Sequence, residues 1–479
     1  MYLAVLVVWS ALLIGVGWAV SRRSRSASGF FVAGRRLPGR LVFATVVAAN
    51  IGAGSTVGAT ALGYEHGLAA WWWVGATGIG TLLLAVWLGP RMWRAASAER
   101  LRTVGDFLEL RYGAPVRVAL TGLLLVATLF VLAAQLLAAG VLVAEAADIG
   151  FVPAVLASGA VMIAYFAVGG LASAAWVNLV QLVVLAVGLG LAVPWALTAA
   201  GGTPQIEAAL GDGALDVFRD GGMALSTMAV LVPAFLVSPG ILQKLFGGRS
   251  AAAVRRGLLA AGITLLAFAA VPSLLGAAAA VLHPGLELPD AALPALLMGS
   301  LPVWLGCLGV VALFSAEVSS ADAVLFMLST SFSRDVYQRF LRPGADEAAV
   351  LRMARGAAVV GGLAAVVIAV LARSVIDAIT IFYSILGIAL FVPIVAGLHA
   401  FRPPGPVVLA GAGVGTAVFL LAPEGLPLPG SLLGIAASAI VVVVGAWMGG
   451  AGWGGAAGRG GRMGRGDAVA QAGEDAGAP

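Results

Sequence analysis

Along this chain apolar residues come in long unbroken runs separated by short charged gaps, from Tyr2 to the region of Met448. Thirteen such runs can be counted, most of them near the roughly 20 residues that a helix needs to cross a hydrocarbon core. Alternation at period two is absent, so the runs predict spanning α-helices and not barrel strands. Three of them carry polar residues that a plain lipid-facing helix does not need: the second (41–62), the seventh (222–243) and the ninth (301–332).

The second run contains "VVAANIGAGSTVGATALGY", Val46 to Tyr64, with four glycines, an asparagine and several hydroxyls. Glycine inside a helix costs about 1 kcal/mol against alanine. Either these small residues let two helices pack closely, or the helix breaks near Asn50 to Ser55 and turns free backbone groups toward a cavity. The seventh run favours a break, because it holds Pro233 and a Pro239-Gly240 pair, and each proline removes an internal hydrogen bond. The two interrupted runs are five apart. That spacing predicts two inverted five-helix repeats, each opening on a broken helix, with the ligand site between them. The expected organisation is a first transmembrane helix and loop (1–40), repeats at 41–200 and 201–403, two C-terminal helices (404–449) and a disordered Gly-rich cytoplasmic tail (450–479).

The ninth run reads "LFSAEVSSADAVLFMLSTSFSRDVY". At about 100° per residue the carbonyl of Ala316 and the hydroxyls of Ser319 and Ser320 share one face. Sodium, a hard monovalent cation, suits several neutral oxygens, and the broken helix can add the carbonyls of Ala48 and Ile51. The same serines could instead bond back to their own helix. Glu317 and Asp322 flank the face; carboxylates at membrane depth are costly and are expected to face protein, water or a partner. Gln135, Asn178 and Gln243 are further isolated polar groups, which can touch solute or ion or simply join helices. Trp71, Trp72 and Trp73 suit an interfacial aromatic belt.

Composition agrees with a bilayer as solvent: 61% of the 479 residues are hydrophobic, 10% are charged and the mean hydropathy is +1.04. The net charge of +5 arises from loops. Arg22, Arg23, Arg25, Arg35, Arg36 and Arg40 follow the first run, and further basic groups follow the third, the seventh (Lys244, Arg249, Arg255, Arg256) and the ninth. The intervening loops are mainly acidic, which predicts an outside N-terminus and an inside C-terminus and gives no reason to expect nucleic-acid binding. Cys307 is the only cysteine, so no intramolecular disulfide is possible. His66, His283 and His399 fall near membrane edges and assemble no hydrolytic constellation, so an enzyme is not expected.

In order and spacing, "SGFFVAGRRLPG", "AANIGAGSTVGATALGYEHGL", "TVGDFLELRYG", "YFAVGGLASAAWVNLVQ", "SPGILQKLFGGRS" and the ninth-run segment resemble the sodium:solute symporter family from about Ser28 to about Phe401. The resemblance implies an all-α polytopic membrane protein with about thirteen helices and the leucine-transporter fold. It implies a sodium ion held by Ala48, Ile51, Ala316, Ser319 and Ser320, and a solute beside Asn50, Gly52, Gly54 and Ser55, with Gln135 and Gln243 behind. Two departures follow. The family's usual aspartate after the Gly169-Gly170 pair is Asn178 here, and sugar-transporting relatives carry a glutamate and a glutamine where this chain has Gly54 and Ser55, which disfavours a sugar.

The expected function is sodium-coupled import of a small organic solute by alternating access, without an obligate protein partner. Alternatives are proton coupling through Glu317 or Asp322, or a nontransporting solute sensor. With no unpaired buried lysine or arginine expected, and helix N-termini that favour a carboxylate, the solute is expected to be a monocarboxylate, an amino acid or a neutral osmolyte.

Overall fold

The computed structural model describes residues 1–21, 35–168, 171–372, 374–399, 401, 403–423, 426 and 428–448. Arg22, Arg23 and Arg25, the Gly169-Gly170 pair and the tail from Gly449 onward lie outside the described residues. All regular structure within them is helical, and the pairing of Leu37 with Gly248 is an isolated bridge. In chain order the helices are α1 (Tyr2–Ser21), α2 (Gly39–Asn50), α3 (Val57–His66), α4 (Trp71–Val86), α5 (Leu88–Ala98), α6 (Val104–Tyr112), α7 (Ala114–Ala147) and α8 (Phe151–Val168). There follow α9 (Leu171–Ala199), α10 (Thr203–Leu210), α11 (Gly221–Val237), α12 (Pro239–Phe246), α13 (Ala251–Phe268) and α14 (Ala270–Leu282). After a connection that holds short helical turns at Pro289–Ala291, Ala292–Ala295 and Leu296–Ser300 come α15 (Val303–Thr330), α16 (Glu347–Leu371), α17 (Val375–Leu398), α18 (Gly405–Leu421) and α19 (Gly430–Met448).

Among the described residues nine helical stretches are long and apolar enough to cross a membrane, accompanied by four shorter apolar helices. The expected count of thirteen spans is therefore not reached by length. One cause is local: the second run is divided into α2 and α3, of 12 and 10 residues.

The two broken helices run antiparallel. α2 begins where α12 ends, through Leu37 N to Gly247 O (2.9 Å) and Arg249 N to Leu37 O (3.0 Å). At the opposite end, Leu68 N donates to Ala214 O (2.7 Å) and Trp72 Nε1 to Val217 O (2.9 Å), just ahead of α11. In the second pair the break lies at Ser238, with Pro239 at the first position of α12, where its missing N–H is not needed. Pro233 stays inside α11.

α15 fills the centre of the bundle. Every residue from Gly309 to Ala323 is buried, about four turns with no face toward lipid, which is the behaviour of a helix buried all round. Its polar residues therefore meet protein, and the arrangement of the broken helices decides which.

Candidate ion and solute site

α2 stops at Asn50 because the backbone leaves the helical region. Ile51 is extended (φ −98°, ψ 98°), as is Gly52 (φ −151°, ψ −153°), before a 3₁₀ turn at Ala53–Ser55 and the start of α3. The freed groups are taken up locally. Gly52 N donates to Ser55 Oγ (3.0 Å), Ser55 Oγ donates to Asn50 O (2.7 Å), and Ala53 N donates to Gln135 Oε1 of α7 (2.9 Å). Glycine is required at position 52 by crowding: a Cβ there would collide with Ser320 Oγ and Gln135 Oε1.

Against this break α15 presents its two serines. Ser320 Oγ lies 3.1 Å from Ala48 O and 3.0 Å from Ile51 O; Ser319 Oγ lies 3.4 Å from Ala48 O and 3.0 Å from Ala316 O. Five neutral oxygens from Ala48, Ile51, Ala316, Ser319 and Ser320 thus meet in one buried cluster. Ser319 Oγ thus bonds back to its own helix at Ala316 O as well as across to the end of α2 at Ala48 O. Beside the cluster is a small cavity of about 10 Å³ lined by Ala48, Ile51, Ala316 and Ser319, with Gln181 of α9 in its wall, close to the roughly 10–15 Å³ that holds one water-sized guest. Gln181 is 2% exposed, and among the described residues neither its amide oxygen nor its amide nitrogen has a hydrogen-bond partner. Its one signal in the sequence is a glutamine one turn beyond Asn178 on an apolar helix. Asn178 is buried too, and among the described residues its Oδ1 has no partner.

A second cavity, of about 60 Å³, lies on the other side of the break. Asn50, Gly52, Gly54, Ser55 and Gln135 all line it. Gln243 does not: it is buried on α12, and among the described residues both its polar atoms lack partners. Its neighbour Lys244 takes that place. Grouped in the sequence with loop arginines, Lys244 is 2% exposed, lines the cavity and donates from Nζ to Thr45 O of α2 (3.1 Å). The expectation of no unpaired buried lysine is corrected by this geometry: among the described residues no carboxylate lies within ion-pair distance of Lys244, and it is buried because α12 continues as a helix through position 244. Trp73, Phe235 and Tyr383 supply aromatic walls.

The two carboxylates of α15 part company. Glu317 is fully buried; its Oε1 accepts from Thr56 Oγ1 at the start of α3 (2.9 Å), while among the described residues Oε2 has no partner. Asp322 is buried, and the Lys244 ammonium and the Tyr165 hydroxyl lie within electrostatic range of it. Among the described residues no group of three or more His, Cys, Asp or Glu side chains is placed to hold a metal ion.

At the arginine-rich end a network that no sequence motif marks ties α6, α7 and the helical segment Ser331–Leu341 that continues α15 together. Arg117 pairs with Asp106 (2.8 Å), Glu109 (2.7 Å) and Asp335, and Thr103 Oγ1 donates to Asp335 Oδ1 (2.6 Å). Paired with Arg117 and Arg339, the Glu109 carboxyl is held below its usual range, although burial alone would raise it.

Residues 30–412 match the model of the sodium:solute symporter family. The chain is 28% identical over 409 residues to a sodium/glucose cotransporter of Vibrio parahaemolyticus, covering 76% of this chain and 74% of that one. It is 27% identical over 389 residues to the human high affinity choline transporter 1, covering 76% and 66% respectively. Among solved structures it resembles a substrate-bound, outward-open Na⁺-coupled sialic acid symporter (TM-score 0.77, 20% identity, 93% of this chain and 97% of that one). It also resembles MhsT in complex with L-phenylalanine (TM-score 0.56, 16% identity, 85% and 97%).

Proposed function

The chain belongs to the sodium:solute symporter family, and on that premise we propose that it imports a small organic solute by alternating access, with sodium bound at the five-oxygen cluster of Ala48, Ile51, Ala316, Ser319 and Ser320. It is a multi-pass membrane protein with a leucine-transporter-like fold and a sodium-coupled symporter, with sodium as a co-transported substrate. The observation that carries the site assignment is the convergence of Ser319 and Ser320 on the carbonyls at the end of α2.

Sodium there bridges α2 to α15 and favours one arrangement of the repeats 41–200 and 201–403; its release toward the arginine-rich end loosens α2 and lets the solute follow. That end is assigned to the inside, which puts the N-terminus outside and the C-terminus inside. For one sodium and one neutral solute, a potential of −100 mV supplies about 2.3 kcal/mol and a tenfold gradient about 1.4 more, enough for roughly 500-fold accumulation.

The solute is assigned to the cavity lined by Asn50, Gly52, Gly54, Ser55 and Gln135. Its volume of about 60 Å³, against roughly 300–1,000 Å³ for common ligand pockets, favours a compact molecule. One ammonium, Lys244, and aromatic walls suit a monocarboxylate or a zwitterion with a short apolar part. A competition panel in sodium-driven proteoliposomes tests this: short monocarboxylates and small amino acids should compete, and competition by dianions alone would contradict it.

Proton coupling is the second reading, favoured by Glu317, whose Oε2 is buried beside Thr56 at the break with no partner among the described residues. Uptake driven by a pH gradient without sodium, lost in Glu317→Gln, would support it.

A further inference from the structure

Four arginines face one groove at the charged end of the bundle. Arg36 and Arg40 stand at the start of α2, and Arg249 and Arg256 flank the start of α13. The groove has a volume of about 840 Å³ and continues past Phe43 and Thr264. All four arginines are exposed, and among the described residues none has a carboxylate within ion-pair distance.

The inside preference of basic residues explains why arginines occupy this end, but not why these share a groove. Backbone packing explains that. A Cβ on Gly257 would stand 2.8 Å from Gly39 O, and one on Gly39 would stand 3.1 Å from Ala253 O, so only glycines let α2 and α13 cross this closely. The crossing sets two arginine-bearing helix starts side by side. Both helices point their positive N-terminal ends at the groove, and the first turn of α2 has no side-chain cap from Pro38.

We propose that this groove binds the phosphate headgroup of an anionic phospholipid, with the acyl chains lying along Phe43 and Ala260. A soluble phosphate compound matches the guanidinium groups equally well. Only a lipid also matches the passage from cationic rim to apolar floor on two helices of the membrane bundle; basic pockets between helices near the membrane surface commonly take such headgroups. The bound lipid ties α2, the half-helix that carries Ala48, to α13.

The test is native mass spectrometry of the full chain with equimolar short-chain phosphatidylglycerol and phosphatidylcholine. Wild type should retain phosphatidylglycerol preferentially. Each arginine near an anionic surface is worth roughly fivefold in affinity, so Arg40→Gln with Arg256→Gln should lose about 30-fold. Arg352→Gln with Arg355→Gln, which removes as much charge outside the groove, should retain the preference. Equal retention of the two lipids by wild type, or an equal loss in both double variants, would overturn the proposal. A second arm uses wild type alone. Phosphatidylglycerol vesicles should protect Arg40 and Arg256 from phenylglyoxal where phosphatidylcholine vesicles and inorganic phosphate do not. Protection by inorganic phosphate to the same extent would assign the groove to a soluble anion and overturn the lipid reading.

Discussion

The hydroxyl of Ser320 lies 3.0 Å from the carbonyl oxygen of Ile51, joining the centre of α15 to the point where α2 stops. This approach exists only because residue 52 has no side chain. Gly52→Ala should therefore lose sodium-driven uptake and cost about 1–3 kcal/mol of stability, the usual price of overpacking. Uptake and thermal unfolding measured on the same preparation check both parts; a variant with wild-type values would remove the crowding argument.

Gln135 accepts the otherwise free N–H of Ala53 across 2.9 Å. Gln135→Met keeps the volume and removes the acceptor, leaving a buried donor unpaired at about 1–3 kcal/mol. We expect lower stability together with a raised KM for solute, read from initial uptake rates at saturating sodium. A stability loss with unchanged KM would make the residue a purely structural support of the break.

Arg117 serves three carboxylates at once, and Asp335 among them is 1% exposed. Removing the cation strands buried charge, so Arg117→Met should destabilise by about 3–5 kcal/mol. Arg339→Gln, on the exposed side of the same network, should cost about 1 kcal/mol or less. Denaturation of the two variants in parallel distinguishes a buried network from a surface one.

Asp290 gives a pH dependence of definite sign. It lies between α14 and α15, 8% exposed, and its Oδ2 accepts from Val375 N at the start of α17 (3.0 Å). Burial, aided by Asp377 and Glu65, pushes its carboxyl up from the usual 3.8 to about 6 against the lowering effect of the Val375 bond. The folded state then holds the proton more tightly than the unfolded chain. The contribution of Asp290 is fully present below pH 4 and is lost as pH rises to about 6, a change on the order of 3 kcal/mol. Asp290→Asn should flatten this part of the stability profile and be more stable than wild type at pH 7; a profile identical to wild type would contradict the assignment.

The breaks and the serine face were legible in the sequence because each is a local pattern. Glycines and a Pro-Gly pair interrupt apolar runs, and a 100° step places Ala316, Ser319 and Ser320 on one face. Lys244 was not legible, since a basic residue at the end of an apolar run reads as a loop charge and only the continuation of α12 buries it. Gln181 looks like any isolated amide until its lack of partners beside Ser319 is seen. The bond from Thr103 to Asp335 joins positions 232 residues apart, beyond any periodicity.

The most direct measurement is the thermal stability of the purified protein in sodium chloride against matched potassium or choline chloride, for wild type and for Ser319→Ala with Ser320→Ala. A ligand that binds only the folded state adds about 2.7 kcal/mol at one hundred times its dissociation constant. Selective stabilisation of wild type by sodium, absent in the double variant, is the expected result. An equal response of both proteins to sodium, or none in wild type, would contradict the placement of sodium between α2 and α15.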